Sequence, residues 1–279
     1  MNNLKYSVLM SVYYKEKPEY LRESIISMLQ QTVMPDEIVL VKDGQLTDQL
    51  EEVIGEFKEN KIIKVIALKE NVGLGKALNI GLSECKNELV ARMDTDDISI
   101  SNRCEKELEE FCKNNNLSVV GSVVSEFIGD TSNVIAYKEV KIMHQEIEQQ
   151  IKFRNPINHP SVMFRKSHVL KVGSYEHWFL NEDYYLWIRM IQQGFIFQNI
   201  NEPLVKMRIT NETYLRRGGW KYFITQKKLF DYMLKHNMIN ILEYLYNNLT
   251  RFVARILMPN KIRKILYLRI LRSKGVNYD

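Results

Sequence analysis

Apolar runs of strand length alternate with segments of helical period through the first half of the chain, and this alternation limits the available folds more than any other feature. Residues 6–12 (YSVLMSV), 37–41 (EIVLV), 62–68 and 88–93 (ELVARM) read as strands. Between them, a segment opened by Pro18 carries Leu21, Ile25, Met28 and Leu29 at helical spacing, residues 46–60 are polar and helix-compatible, and residues 73–85 carry Leu74, Ala77, Leu78 and Leu82. A further helix (101–113) and strand (118–124) follow. The pattern predicts βαβ units and an α/β fold whose mainly parallel sheet is flanked by helices. In such sheets ligands bind beyond the carboxyl ends of the strands. That rule directs attention to residues 13–16, to Asp43-Gly44, and to Asp94-Thr95-Asp96-Asp97.

The second half is less regular. Residues 161–165 read as a strand, 183–193 (DYYLWIRMIQQ) as a helix stopped by Gly194, and 195–200 and 204–209 as two short strands. From Trp220 the chain reads as helical, with Pro259 as a break. Of the 279 residues 45% are hydrophobic and 26% charged, which excludes a disordered chain. The three cysteines, Cys85, Cys104 and Cys112, match no zinc spacing and no disulfide framework, which points to a reducing, cytoplasmic setting. The N-terminal apolar run reads as a core strand and not a signal peptide, and no apolar stretch reaches transmembrane length. The net charge of +5 implies attraction to anions without naming them.

Asp94, Asp96 and Asp97 lie within four residues directly after a buried-looking strand. Carboxylates so close repel one another unless a cation or a basic partner sits among them. Hard oxygen donors suit Mg²⁺ or Mn²⁺, which commonly bridge carboxylates to substrate phosphates. The competing reading is an exposed acidic turn with Asp97 as a helix cap.

Seven segments, in order, resemble the family 2 glycosyltransferases with the GT-A fold, in particular bacterial members that build capsule and O-antigen repeat units. They are SVLMSVYYKE from Ser7, LRESIISMLQQT from Leu21, EIVLVKDG from Glu37, NVGLGKALNIGL from Asn71, ARMDTDD from Ala91, NHPSVMFRK from Asn158 and NEDYYLWIRM from Asn181. The resemblance implies a Rossmann-like nucleotide-diphospho-sugar transferase domain over residues 1–215, with a donor half to about residue 125 and an acceptor half after it, followed by a helical basic extension over 216–279. It implies an inverting transfer of a sugar from a nucleotide sugar, a UDP-sugar in the first instance, to a saccharide acceptor, itself a lipid-diphosphate-linked intermediate of surface polysaccharide synthesis.

It also implies roles. Ser11, Val12, Tyr13 and Glu16 around the end of the first strand, and Asp43 near the end of the second, are expected to contact the donor base or ribose, Asp43 having the alternative of shaping its turn. Asp94, Thr95 and Asp96 are expected on the donor, with Asp94, Asp96 and Asp97 holding the metal. Lys76 is a donor contact or a solvated lysine, since its Gly-rich segment has neither the P-loop nor the dinucleotide spacing. By the family's ED motif, Asp183 is the general base and Glu182 orients its neighbours or the acceptor. His159 is left between ligand, acceptor contact and packed core residue. Trp187 reads as core, and Trp178 as a flat acceptor platform. Arg208, Arg216 and Arg217 suit a diphosphate. Processive synthases of the superfamily carry Q-x-x-R-W hereabouts; this chain has RRGGW, which argues for one sugar per encounter.

From Arg251 to Lys274 basic residues are interspersed with large apolar ones, and the only acid after Arg251 is Asp279. Such an end suits an anionic membrane surface, placing the protein on the inner face of the plasma membrane, or else packing on the core or on a second subunit; the oligomeric state is not encoded. Two other classes compete with the enzyme. A non-catalytic nucleotide-sugar-binding scaffold of the same fold would readily lose DxDD or ED, and both are intact. A nucleic-acid binder lacks any recognition motif, so no nucleic-acid partner is expected.

Overall fold

The computed structural model describes residues 4–210 and 218–259. Four parallel strands open the chain in the order β3-β2-β1-β4: β1 (Tyr6–Val12), β2 (Glu37–Lys42), β3 (Ile63–Ala67) and β4 (Leu89–Arg92). Helices α1 (Pro18–Leu29), α2 (Asp48–Glu56) and α3 (Leu74–Glu84) connect them. The expected α/β architecture is therefore present, and the reason lies in side-chain alternation. Val8, Met10 and Val12 of β1 face one side, with Leu21, Ile25 and Met28 of α1 and with α4 (Arg103–Lys113). Leu9 faces the other side, against α3 and against Trp187 and Leu186 of α7 (Glu182–Gln192). With both faces covered, a strand can be apolar at every position.

Beyond β4 the sheet becomes mixed. β8 (Met163–Arg165) pairs antiparallel with β4 and with β6 (Leu117–Phe127). The far half of β6 carries β7 (Val134–Lys138) as an antiparallel neighbour, and β9 (Ile196–Arg208) runs parallel along its other side. The two-residue strand β5 (Ile98–Ser99) pairs with β9 and ends the sheet. The reading of two short strands at 195–209 is corrected here: β9 is one strand. Ser122 pairs with Ile200 and Val123 with Pro203, so residues 201 and 202 loop out of register. A bulge is where a proline, lacking an N–H for the ladder, is tolerated inside a sheet.

Helices α5 (His144–Gln150), α6 (Lys166–Lys171), α8 (Trp220–Lys235) and α9 (Ile241–Phe252) complete the described chain, with a π-helical turn at Val253–Leu257. No helix among the described residues is long and apolar enough to cross a membrane. Arg216, Arg217 and the tail from residue 260, with its six lysines and arginines to Lys274, lie outside the described residues.

Two features position the site. A buried Arg103–Glu107 pair at 2.9 Å sits in α4, and Arg103 also donates to the carbonyls of Arg92 and Val162, tying α4 to the end of β4. Gly75 lets α3 approach the segment before α7: a Cβ there would lie 2.6 Å from the Glu176 carbonyl oxygen and 3.3 Å from Glu182 Cβ. Gly75→Ala is expected to destabilise the fold by about 1–3 kcal/mol through overpacking against backbone, read as a lower urea midpoint at unchanged slope.

Candidate active site

The loop after β4 gathers the acidic cluster. One oxygen from each of Asp94, Asp96 and Asp97 falls within 4.8 Å of the others. The exposed-turn reading does not apply to Asp97, which is 2% exposed. Burial, and then the charges of Asp96 and Asp94, push its carboxyl well above the usual range. Three hard oxygen donors in mutual repulsion fit a divalent cation.

The protein offsets part of this charge from behind. Arg92, buried in β4, forms an ion pair with Asp94. Arg208, at the end of β9, braces the loop from the side: its backbone N–H donates to Asp97 at 2.9 Å and its Nε to the Asp96 carbonyl at 3.1 Å. Its other nitrogens donate to the Gly129 carbonyl and to Glu23, and the guanidinium lies 3.9 Å from the Tyr20 ring centroid. The arginine expected on a diphosphate is thus engaged by protein acceptors from the loop's rear.

Loops after β1 and β2 meet the same strand ends. Thr95 Oγ1 donates to Glu16 at 2.7 Å and to the Ser11 carbonyl at 3.3 Å. Burial raises the Glu16 carboxyl, while hydrogen bonds from Thr95 and the Lys17 N–H oppose the rise. The Val12 carbonyl accepts the Asp43 N–H at 2.8 Å, and Tyr13 is exposed beside it. Asp43 is buried, and its two carboxylate oxygens accept the N–H groups of Val72 at 2.7 Å and Gly73 at 3.1 Å. It latches the end of β2 to the entrance of α3. Gly44 permits this at φ +87°, since a Cβ there would lie 2.7 Å from Asn71 N. Lys76 is exposed on α3.

Glu182 and Asp183 begin α7, where carboxylates are favoured by the helix dipole. Glu182 is raised to about 7 by burial and then by the charge of Asp183, and it also feels Asp94 and Arg92. Asp183 is raised by burial and lowered in part by the Tyr184 N–H, by Lys138 and by Asn155, whose Nδ2 donates to it at 2.7 Å. Arg92 therefore acts electrostatically on both the acidic loop and the α7 pair. His159 is packed: its Nε2 lies 3.0 Å from Tyr175 Oη, its ring is edge-on to Trp187, and burial, then Arg92 and Lys138, hold it well below the usual histidine range. Trp178 is half-buried, with its ring 4.2 Å from that of Tyr185 and its Nε1 donating to the Thr225 carbonyl.

Sequence reasoning assigned no role to Arg92 or Asn155. Arg92 carried a signal, because an arginine within a buried strand requires an acidic partner. Asn155 lies in an irregular stretch with no periodicity to mark it.

With this geometry described, comparison with known proteins is informative. Residues 7–173 match the family model described as glycosyl transferase family 2. The chain belongs to this family. It is a glycosyltransferase, similar to several from bacterial polysaccharide synthesis. It is 38% identical over 268 residues to the UDP-Gal:alpha-D-GlcNAc-diphosphoundecaprenol beta-1,3-galactosyltransferase of Escherichia coli, covering 96% of this chain and 97% of that protein. It is 37% identical over 262 residues to the amylovoran biosynthesis glycosyltransferase AmsE of Erwinia amylovora, covering 94% and 97%. Among solved structures, S. aureus TarS 1-349 in complex with UDP-GlcNAc matches at TM-score 0.67 and 18% identity, over 90% of this chain and 73% of that one. The chain spans 43% of the longer TarS chain. This likeness shows that the glycosyltransferase has the TarS fold.

The family 2 site carries a stability load. Glu182 rises from its ordinary 4.5 to about 7, so the stability tied to its protonated form is complete below pH 4.5 and lost as pH rises through 7. Glu182→Gln is expected to melt above wild type at pH 8, by on the order of 5 °C, with the difference closing toward pH 4.5. Thermal unfolding at the two pH values checks this.

Proposed function

We propose that this glycosyltransferase moves a hexose from a UDP-sugar onto a hydroxyl of a lipid-diphosphate-linked saccharide, with inversion at the anomeric carbon. Residues 1–215 form the transferase domain of this reading and 216–279 an extension, helical where it is described at Trp220–Lys235 and Ile241–Phe252. The observation that carries it is the acidic loop after β4, whose three carboxylates fit a divalent ion, together with a half-buried carboxylate pair at the start of α7 that shares Arg92 with that loop. A relative named for a UDP-galactose donor and a diphosphoundecaprenol acceptor supports the substrate class.

Asp94, Asp96 and Asp97 would hold Mg²⁺ or Mn²⁺, and Ser11 to Tyr13, Glu16, Asp43, Thr95 and Lys76 would line the donor. An ion held there would supply charge stabilisation for the departing diphosphate. Asp183 takes the proton of the acceptor hydroxyl as its oxygen bonds to the anomeric carbon and the bond to the diphosphate oxygen breaks. Its raised carboxyl makes it a stronger base than a solvated aspartate, and Asn155 fixes one of its oxygens. Arg92 stabilises the ionised pair from behind. Free thiols at Cys85, Cys104 and Cys112 suit the cytoplasmic face, where this reading puts the enzyme.

Calorimetric titration of UDP with Mn²⁺ is expected to show binding that Asp96→Ala loses, whereas Asp183→Asn is expected to keep UDP binding and to lose turnover by about 10²–10⁴-fold. Absence of UDP binding with either metal would remove the donor assignment, and full turnover by Asp183→Asn would remove the base. The hydrogen bond from Asn155 lowers the Asp183 carboxyl, so Asn155→Ala is expected to move the acid limb of kcat/KM to higher pH. A pH–rate profile with an unmoved acid limb contradicts that role.

A further inference from the structure

Asp183 and Asn155 open onto a cleft of about 1310 Å³, larger than the roughly 300–1,000 Å³ of ordinary small-molecule sites. Its outer wall is α9 and the π-helical turn. The inner face of α9 is fixed to the segment that leads to Asn155: the buried Asn247 donates to the Lys152 carbonyl at 3.0 Å and Arg251 to that of Phe153. This orients the opposite character of the helix outward. Leu242, Tyr246, Leu249, Val253 and Leu257 recur at spacings of three and four, which is one helical stripe. All five are exposed, Leu242 by 74% and Leu249 by 65%. The first four also line the cleft that holds Asp183. A row of large apolar side chains exposed in this way marks a contact surface. The same cleft is also lined by Lys138, Arg154 and Arg255.

We propose that this cleft is the acceptor channel and that the α9 stripe receives the hydrocarbon chain of an alkyl or isoprenoid diphosphate, the diphosphate lying against the cleft's basic side chains and the sugar at Asp183. The inference rests on the transferase reading and adds the acceptor's site to it. Charge complementarity selects the occupant. One cleft brings together the base, three cations and an apolar row, a partner for each part of a sugar-diphosphate-lipid. A plain membrane surface needs no cations inside a cleft, and a second protein copy needs no path to Asp183.

The test titrates the full chain with undecyl diphosphate, undecyl monophosphate and methyl diphosphate below their micellar concentrations. Wild type is expected to bind undecyl diphosphate at least tenfold more tightly than either other probe. Leu242→Ser/Leu249→Ser, which alters exposed positions only, is expected to bring the chain-length preference below threefold, and Arg154→Gln to erase the diphosphate-over-monophosphate preference. Wild type lacking a chain-length preference, or the double variant keeping it, would overturn the proposal. So would phosphatidylglycerol vesicles bound as tightly as undecyl diphosphate, which assigns the stripe to the bilayer, or a wild-type dimer that the double variant dissociates with alkyl binding unchanged, which assigns it to a second copy. UDP titration of the same samples with Mn²⁺ reports separately on the transferase reading.

Discussion

Concentrating negative charge at the carboxyl end of a buried sheet is the constraint around which this structure is organised. Three aspartates after β4 and two carboxylates at the start of α7 lie near one another and are wholly or partly withdrawn from solvent, so that ionising them together is unfavourable unless compensated. Two arginines carry the compensation. Arg92 is planted inside β4, two residues from the loop it neutralises. Arg208 arrives from the end of β9, and its backbone and side chain together fix the loop's shape. Arg103 then holds the β4 backbone in place from α4.

The compensation is incomplete. Asp97 and Glu182 remain raised because burial and mutual repulsion outweigh the nearby cations. A site relaxed to ordinary carboxylate values would hold its own charge comfortably and would have less to gain from a cation or from a proton on Asp183. Reactivity here is stored as unsatisfied electrostatics, held in place by the packed helices on both faces of the sheet.

How far the sequence revealed this varied with the physics of each part. Strands with both faces buried announce themselves, and so β1, β2 and β4 were legible as apolar runs, and α1 and α3 from their helical period. The carboxylate loop was legible because its residues are adjacent in the chain. Neither β5 nor β7 was legible: β5 has two residues, and β7 owes its existence to an edge of β6 that only the fold supplies. Asp43 shows a subtler limit. Its acidity was visible, but its clasp on Val72 and Gly73 depends on where α3 begins after folding. Arg208 likewise reads as a cation for a ligand until the loop 111 residues upstream is seen against it.

That separation also bears on the order of assembly. Strands β1 to β4 and their helices join neighbours in the chain, and they can form as soon as the ribosome has released them. The acidic loop has no such independence, for the backbone that pins Asp97 belongs to the last residue of β9. Contacts of long sequence separation are the slow ones to close. During synthesis the first four strands therefore exist before the acidic loop that follows them has a fixed form, and that form waits for the chain to reach Arg208.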